Sequence, residues 1–212
     1  MISAVIFDLD GVIVSTDNYH YQAWKKIADE ENIYFDEEVN NRLRGVSRSD
    51  SLEIILERSE RKYTEFEKTR LTEAKNTYYI KLLESLTAEA ILPNVKEVLI
   101  KLKTNKIKIA IGSSSKNAKL ILKQIGLIDL FDAISDGNDI KRSKPHPEVF
   151  LIAAKRLGIE PTKCAVIEDA SAGIEAAKKA RMYAIGIGAA KNSKLCDLSV
   201  DNIAEIIEIV KK

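Results

Sequence analysis

Ala4-Val5-Ile6-Phe7 is an unbroken apolar run that meets Asp8-Leu9-Asp10-Gly11. That is the pattern of a strand buried on both faces and stopped by a polar turn. Comparable runs recur at Ile107 to Ile111, Ala133-Ile134, Ala165 to Ile167 and Ala184 to Ile187. Helical patterns separate them: Val95, Val98, Leu99 and Leu102 follow the i, i+3, i+4, i+7 rule, and segments 116–125, 147–158 and 171–181 have helical length, with Pro147 placed as a helix starter. Strands alternating with helices predict a mainly parallel sheet covered on both faces.

Residues 15–87 break this alternation, with no β-like run. Ser47-Arg48-Ser49-Asp50 and Thr64-Glu65-Phe66-Glu67 both carry the capping signal of a helix start. Four helices are predicted, over 17–31, 36–42, 48–59 and 65–86. The expected organisation is therefore an α/β core of residues 1–14 and 88–212, interrupted after its first strand by a helical domain of residues 15–87.

Composition narrows the partners. The chain has 33 Lys plus Arg against 32 Asp plus Glu, a net charge of +1, so no global field draws it to nucleic acid or an anionic membrane. The helical segment holds 12 basic and 15 acidic residues, which leaves the core slightly basic. Cys164 and Cys196 have neither disulfide-framework nor zinc-site spacing. No apolar stretch approaches the ~18 residues of a membrane span. The expectation is a cytoplasmic protein, a monomer, whose partner is a small molecule held by a local site, with no nucleic acid and no membrane.

In an open parallel sheet, ligands bind beyond the carboxyl ends of the strands, so the polar residues that follow each apolar run should meet. They are Asp8 and Asp10; Ser113-Ser114-Ser115-Lys116-Asn117; Lys144, in a loop; and Glu168-Asp169. Four carboxylates brought together repel by ~1 to 4 kcal/mol per close pair, which a divalent cation relieves. Oxygen donors without nearby His or Cys favour Mg²⁺. The serine hydroxyls and the N–H groups of a helix opening at Lys116 suit phosphate oxygens, and Lys144 adds a point charge. These are the parts of a phosphoryl-transfer site in which a carboxylate can act as nucleophile.

In this ordered set the chain resembles the haloacid dehalogenase-like phosphotransferases, on Asp8-Leu9-Asp10-Gly11, Ser113, Lys144 and Glu168-Asp169. The resemblance implies a Rossmann-like core with an inserted all-helical cap. It also implies that Asp8 is the nucleophile, that Asp10 is the general acid/base, with Ser113 and Lys144 completing the catalytic set, and that Mg²⁺ is held by Asp8, the Asp10 carbonyl and Asp169, with Glu168 close by. Nearly the whole chain is similar to the sugar-phosphate mutases of that superfamily, through Thr16 to Trp24, Gly45-Val46-Ser47-Arg48, Lys75-Asn76 and Ser115-Lys116-Asn117. By this resemblance Arg48, Ser115, Lys116 and Asn117 hold a non-reacting phosphate. His20 and Lys75 contact the sugar or steer Asp10, and Thr16, Trp24, Gly45, Val46 and Ser114 complete the substrate site. The implied reaction interconverts β-D-glucose 1-phosphate and D-glucose 6-phosphate through an aspartyl-phosphate, with β-D-glucose 1,6-bisphosphate as priming intermediate.

Departures from the pattern are Ser15, where many relatives carry an acidic residue, and segment 192–212, which carries little of the family's signal. Two rivals stay open: a Mg²⁺-dependent sugar-phosphate phosphatase on the same scaffold, and a phospho-accepting receiver domain. The helical insertion and the D-x-D spacing argue against the receiver. Trp24 also fits ordinary helix packing, and Cys164 a buried structural position.

Overall fold

Six parallel strands form one sheet in the order β3-β2-β1-β4-β5-β6, in a computed structural model that describes residues 2–210. The strands are β1 (Ala4–Phe7), β2 (Lys108–Gly112), β3 (Ala133–Ser135), β4 (Cys164–Glu168), β5 (Tyr183–Gly186) and β6 (Leu198–Ser199). β1 is central, pairing with β2 through Ile6 and Ala110 and with β4 through Ile6 and Val166. Its four residues are all fully buried because both faces are covered. Val5 and Phe7 join one apolar layer with α5 (Val95–Thr104) and α6 (Ala118–Gln124). Ala4 and Ile6 join another with α7 (Glu148–Leu157) and α8 (Ser171–Lys179). Two-sided burial is why the strand reads as a continuous rather than alternating apolar run.

Between β1 and β2 lie α1 (Asp17–Glu30), α2 (Glu37–Arg42), α3 (Arg48–Leu56) and α4 (Glu65–Leu83). They enclose an apolar cluster of their own, including Trp24, Ile27, Val39, Leu52, Ile55 and Leu71. The capping signals act as expected: the Ser47 hydroxyl accepts from the Asp50 N–H, and Thr64 with Glu67 forms a complete capping box. Two adjacent chain passages join this unit to the sheet, bridged at Val14 and Ile91, where the Leu92 N–H donates to Ile13 O at 3.0 Å.

The boundaries differ from expectation at several points. The phosphate-loop helix opens at Ala118, with Asn117 as its cap, rather than at Lys116, because the Ser113 and Ser115 hydroxyls accept from the N–H groups of Ser115 and Asn117 and hold the preceding residues in a bend and a turn. α3 ends at Leu56 and α4 at Leu83, short of the expected 59 and 86. Segment 192–210, which has little periodic signal, supplies β6 and α9 (Ile206–Val210); Val200, Ile203, Ile206 and Ile207 bury against the α5 face. Among the described residues, no helix is long and apolar enough to cross a membrane.

Candidate active site

The strand ends converge at the carboxyl edge of the sheet, facing the helical unit across a cavity of ≈ 330 Å³. Asp8, Glu168 and Asp169 each place an oxygen within 4.8 Å of the others. Lys144 sits behind them, its side chain fully buried. Its ammonium donates to Asp8 Oδ1 and, at 2.7 Å, to Glu168 Oε2. Burial would lower the Lys144 pKa, but the Asp8 and Glu168 charges outweigh it and hold the group charged. Burial and the Asp8 charge push Glu168 and Asp169 upward. The turn that delivers Asp8 and Asp10 needs Gly11 at φ +80°, since a Cβ there would stand 2.1 Å from Asp169 Oδ2.

When ionised, the three carboxylates outnumber their cationic neighbours, the buried Lys144 ammonium and the Arg44 guanidinium 3.6 Å from Asp169, and leave a surplus of negative charge. An oxygen-only donor set with that surplus fits a hard divalent cation. The Asp10 side chain does not belong to this cluster. Its carboxylate turns toward Thr16, whose hydroxyl donates to Asp10 Oδ1 and accepts from the Tyr79 hydroxyl at 3.1 Å. Burial is the largest influence on Asp10, with the Asp8 charge adding to it, and together they bring its pKa to about 7 against the pull of Thr16.

The cavity wall opposite carries buried nitrogen. Lys75, on α4, is 2% exposed, lies 2.9 Å from His20 Nδ1 and stacks over the Tyr79 ring at 4.4 Å. Burial, then the Arg48 charge, lowers the Lys75 pKa well below that of a free lysine; burial, then Lys75, lowers that of His20. Imidazole and amine are therefore both less basic than in water, and both are packed against aromatic rings. Trp24 packs in the helical cluster and also lines the cavity.

A second group of donors gathers at the other end. Arg48 Nη2 donates to Asn76 Oδ1 at 2.7 Å, and Asn117 Nδ2, from the sheet side, donates to the same oxygen at 2.9 Å. Lys116, Ser114, Ser115, Gly45 and Val46 line the cavity beside them. One amide oxygen thus receives bonds from both sides of the cleft, where an anion's oxygens would find the same donors.

The family of haloacid dehalogenase-like hydrolases matches residues 2–181. The chain belongs to that family. Among its haloacid dehalogenase-like relatives is a β-phosphoglucomutase of Bacillus subtilis, 46% identical over 205 residues, which span 96% of this chain and 91% of that one. A phosphorylated-carbohydrate phosphatase of Thermotoga maritima is 33% identical over 86% of this chain and 84% of its own length. A crystal structure of β-phosphoglucomutase from Clostridium difficile superposes with a TM-score of 0.93 at 45% identity, covering 100% of this chain and 98% of that one.

Of the residues expected from sequence to form this haloacid dehalogenase-like site, fourteen line the one cavity: Asp8, Asp10, His20, Trp24, Gly45, Val46, Arg48, Lys75, Ser113, Ser114, Ser115, Lys116, Asn117 and Asp169. Thr16, Lys144 and Glu168 stand behind its wall, Thr16 bonded to Asp10, Lys144 to Asp8, and Glu168 to Lys144. Sequence reasoning missed Arg44, which contacts Asp17 and lies 3.6 Å from Asp169 Oδ2, linking the helical unit to the carboxylate cluster. Its place just before the Gly45 turn was the available signal. Asn76 stands in the sequence as a neighbour of Lys75, and nothing in its local sequence marks it as the meeting point of Arg48 and Asn117.

Proposed function

We propose that this chain is a phosphomutase that interconverts β-D-glucose 1-phosphate and D-glucose 6-phosphate through β-D-glucose 1,6-bisphosphate and a phosphorylated Asp8. The observation that carries the reading is the pairing, in one cavity, of a buried carboxylate–lysine centre with a separate cluster of phosphate-compatible donors. A phosphatase needs only the first of these. The near-full-length likeness to β-phosphoglucomutases supports the same conclusion.

In this reading residues 15–87 form a cap over a core of residues 1–14 and 88–212, and closure keeps water from phospho-Asp8. Asp10 takes the proton from the sugar 6-hydroxyl as its oxygen attacks the phosphoryl group of phospho-Asp8. After the bisphosphate turns round, an Asp8 oxygen attacks the C1 phosphate, and Asp10 returns the proton to the departing oxygen. Lys144 and the Ser113 hydroxyl offset and orient the reacting phosphoryl group. Arg48, Ser115, Lys116 and Asn117 hold the phosphate that is not reacting, Arg48 with a fork able to grip two oxygens.

Thr16 aims Asp10. His20 and Lys75 face the sugar, and Trp24, Gly45, Val46 and Ser114 shape its space. Mg²⁺ would be held by Asp8, Asp169 and the Asp10 carbonyl, with Glu168 beside it, and when bound supplies charge stabilisation for the transferring phosphoryl group.

Phosphorus NMR of the protein with Mg²⁺, β-glucose 1-phosphate and a trace of the bisphosphate tests the reading. Accumulation of glucose 6-phosphate is expected. Release of inorganic phosphate alone would favour the phosphatase alternative, and no change would refute both for this sugar. Arg48→Ala should abolish the mutase signal yet leave phosphate release from small esters; equal loss of both would take the second-phosphate role from Arg48.

A further inference from the structure

The loop Ser113–Lys116 lies in neither helix nor strand, yet its use as a phosphate cradle requires a definite backbone pose. A peptide carbonyl aimed at an anion repels it, so successive carbonyls must be turned away and given donors elsewhere. The turn after β3, residues 136–139, supplies those donors. The Gly137 N–H donates to Ser115 O at 3.1 Å, and Asn138 Nδ2 donates to Lys116 O at 2.9 Å. Among the described residues, the amides of Ser114 and Lys116 donate to no other group.

The turn is itself braced. Asp136 is fully buried, and its Oδ1 accepts from the main chain of Asn138 at 2.9 Å and from Asn138 Nδ2 at 3.1 Å. Asp139 accepts from the Asp136 N–H at 3.0 Å and is gripped by both terminal nitrogens of Arg156, from α7, at 2.7 Å each. Contact between turn and loop is close enough to require glycine: a Cβ on Gly137 would lie 2.4 Å from Ser114 O and 2.9 Å from the Lys116 nitrogen.

We infer that the turn 136–139 sets the affinity of this site for the non-transferring phosphate, with Asn138 and Gly137 as positioning residues that act through the backbone of Ser115 and Lys116. This rests on the reading of the phosphate loop given above. Asn138 follows β3 and Asp8 follows β1, with β2 between them in the sheet, so its effect should fall on ligands that carry a second phosphate and spare the transfer of a single phosphoryl group.

The test is calorimetric titration with β-D-glucose 1,6-bisphosphate and with inorganic phosphate, beside the hydrolysis of acetyl phosphate, for wild type, Asn138→Ala and Gly137→Ala. Loss of one hydrogen bond of ordinary strength weakens binding ~5-fold. Asn138→Ala is thus expected to lose about 5- to 10-fold in bisphosphate affinity, with a matching rise in KM for β-glucose 1-phosphate and acetyl phosphate hydrolysis unchanged. Gly137→Ala should lose more, because the loop must shift.

Unchanged bisphosphate affinity in Asn138→Ala overturns the inference. So does an equal fall in bisphosphate binding and acetyl phosphate hydrolysis, which marks a general structural role, and thermal unfolding shows whether Gly137→Ala is folded. Should wild type fail to bind bisphosphate more tightly than phosphate, the mutase reading and this inference fall together. A wild type that discriminates, with unaltered variants, sinks the inference alone.

Discussion

Lys144→Met removes one charge from the buried centre of the site while nearly preserving volume. The Lys144 ammonium lies 4.8 Å from the Phe150 ring centroid, a surface on which a thioether packs well, so little cavity penalty is expected. What is lost is electrostatic: the ammonium's bonds to Asp8 and Glu168, neither of which gains a substitute. Hydrogen bonds to charged groups are worth ~1.5–3 kcal/mol each, and breaking a buried pair by removing one partner costs about 3–5 kcal/mol, because a charge is left uncompensated.

For a chain of this size each kcal/mol corresponds to ~2–4 °C in Tm, so the variant should melt roughly 6–20 °C below wild type in chelator-containing buffer. Glu168→Gln in the same background should recover part of that loss, because it removes the charge left stranded. Thermal and urea unfolding of the two single variants and the double, treated as a double-mutant cycle, measure the coupling. A Lys144→Met protein within a degree or two of wild type, or a cycle with no coupling, would refute the claim that Lys144 is the charge that holds these carboxylates together.

Mg²⁺ should raise the Tm of wild type, by an amount corresponding to about 2.7 kcal/mol at a hundredfold excess over Kd, and should do so far less in Asp169→Asn; equal shifts in the two proteins would move the metal elsewhere. Thr64→Ala dismantles the capping box of α4 and should cost ~1 kcal/mol in urea unfolding, with the mutase reaction retained; an unchanged unfolding midpoint would count against the cap. Arg156 holds Asp139 down from 3.8 to about 2. That contribution to stability is fully present above pH ~4 and disappears as pH falls through 2, so the gap in unfolding free energy between wild type and Arg156→Met should narrow steadily across that window. A gap independent of pH would mean that the pair contributes through packing alone.

Much of this architecture is legible in the linear chain for a simple reason. A strand buried on both faces must be apolar at every position, and its end must turn in a polar loop. Val5 to Phe7 followed by Asp8, and Val166-Ile167 followed by Glu168, therefore announce both the sheet and the edge where chemistry collects. The same holds for Thr64 and Glu67, whose contact is local. β6 and α9 were not legible, because a strand of two residues and a helix of five have too few positions for a period to register; Val200 and Ile206 are held by the α5 face rather than by their own pattern.

Sequence by itself determined the α/β alternation, the helical interruption and the identity of the acidic and phosphate-loop residues, since each depends on near neighbours and on the order of strands. Only the tertiary structure decided which atoms meet. Asn76 joins Arg48 to Asn117, Arg44 reaches Asp169, and Asn138 restrains the carbonyl of Lys116 from 22 residues away. It also decided the electrostatic state. Asp10 rises to about 7 and Lys75 loses its ordinary basicity because chain closure removes water from both, and desolvation belongs to the folded surroundings rather than to a residue's place in the chain.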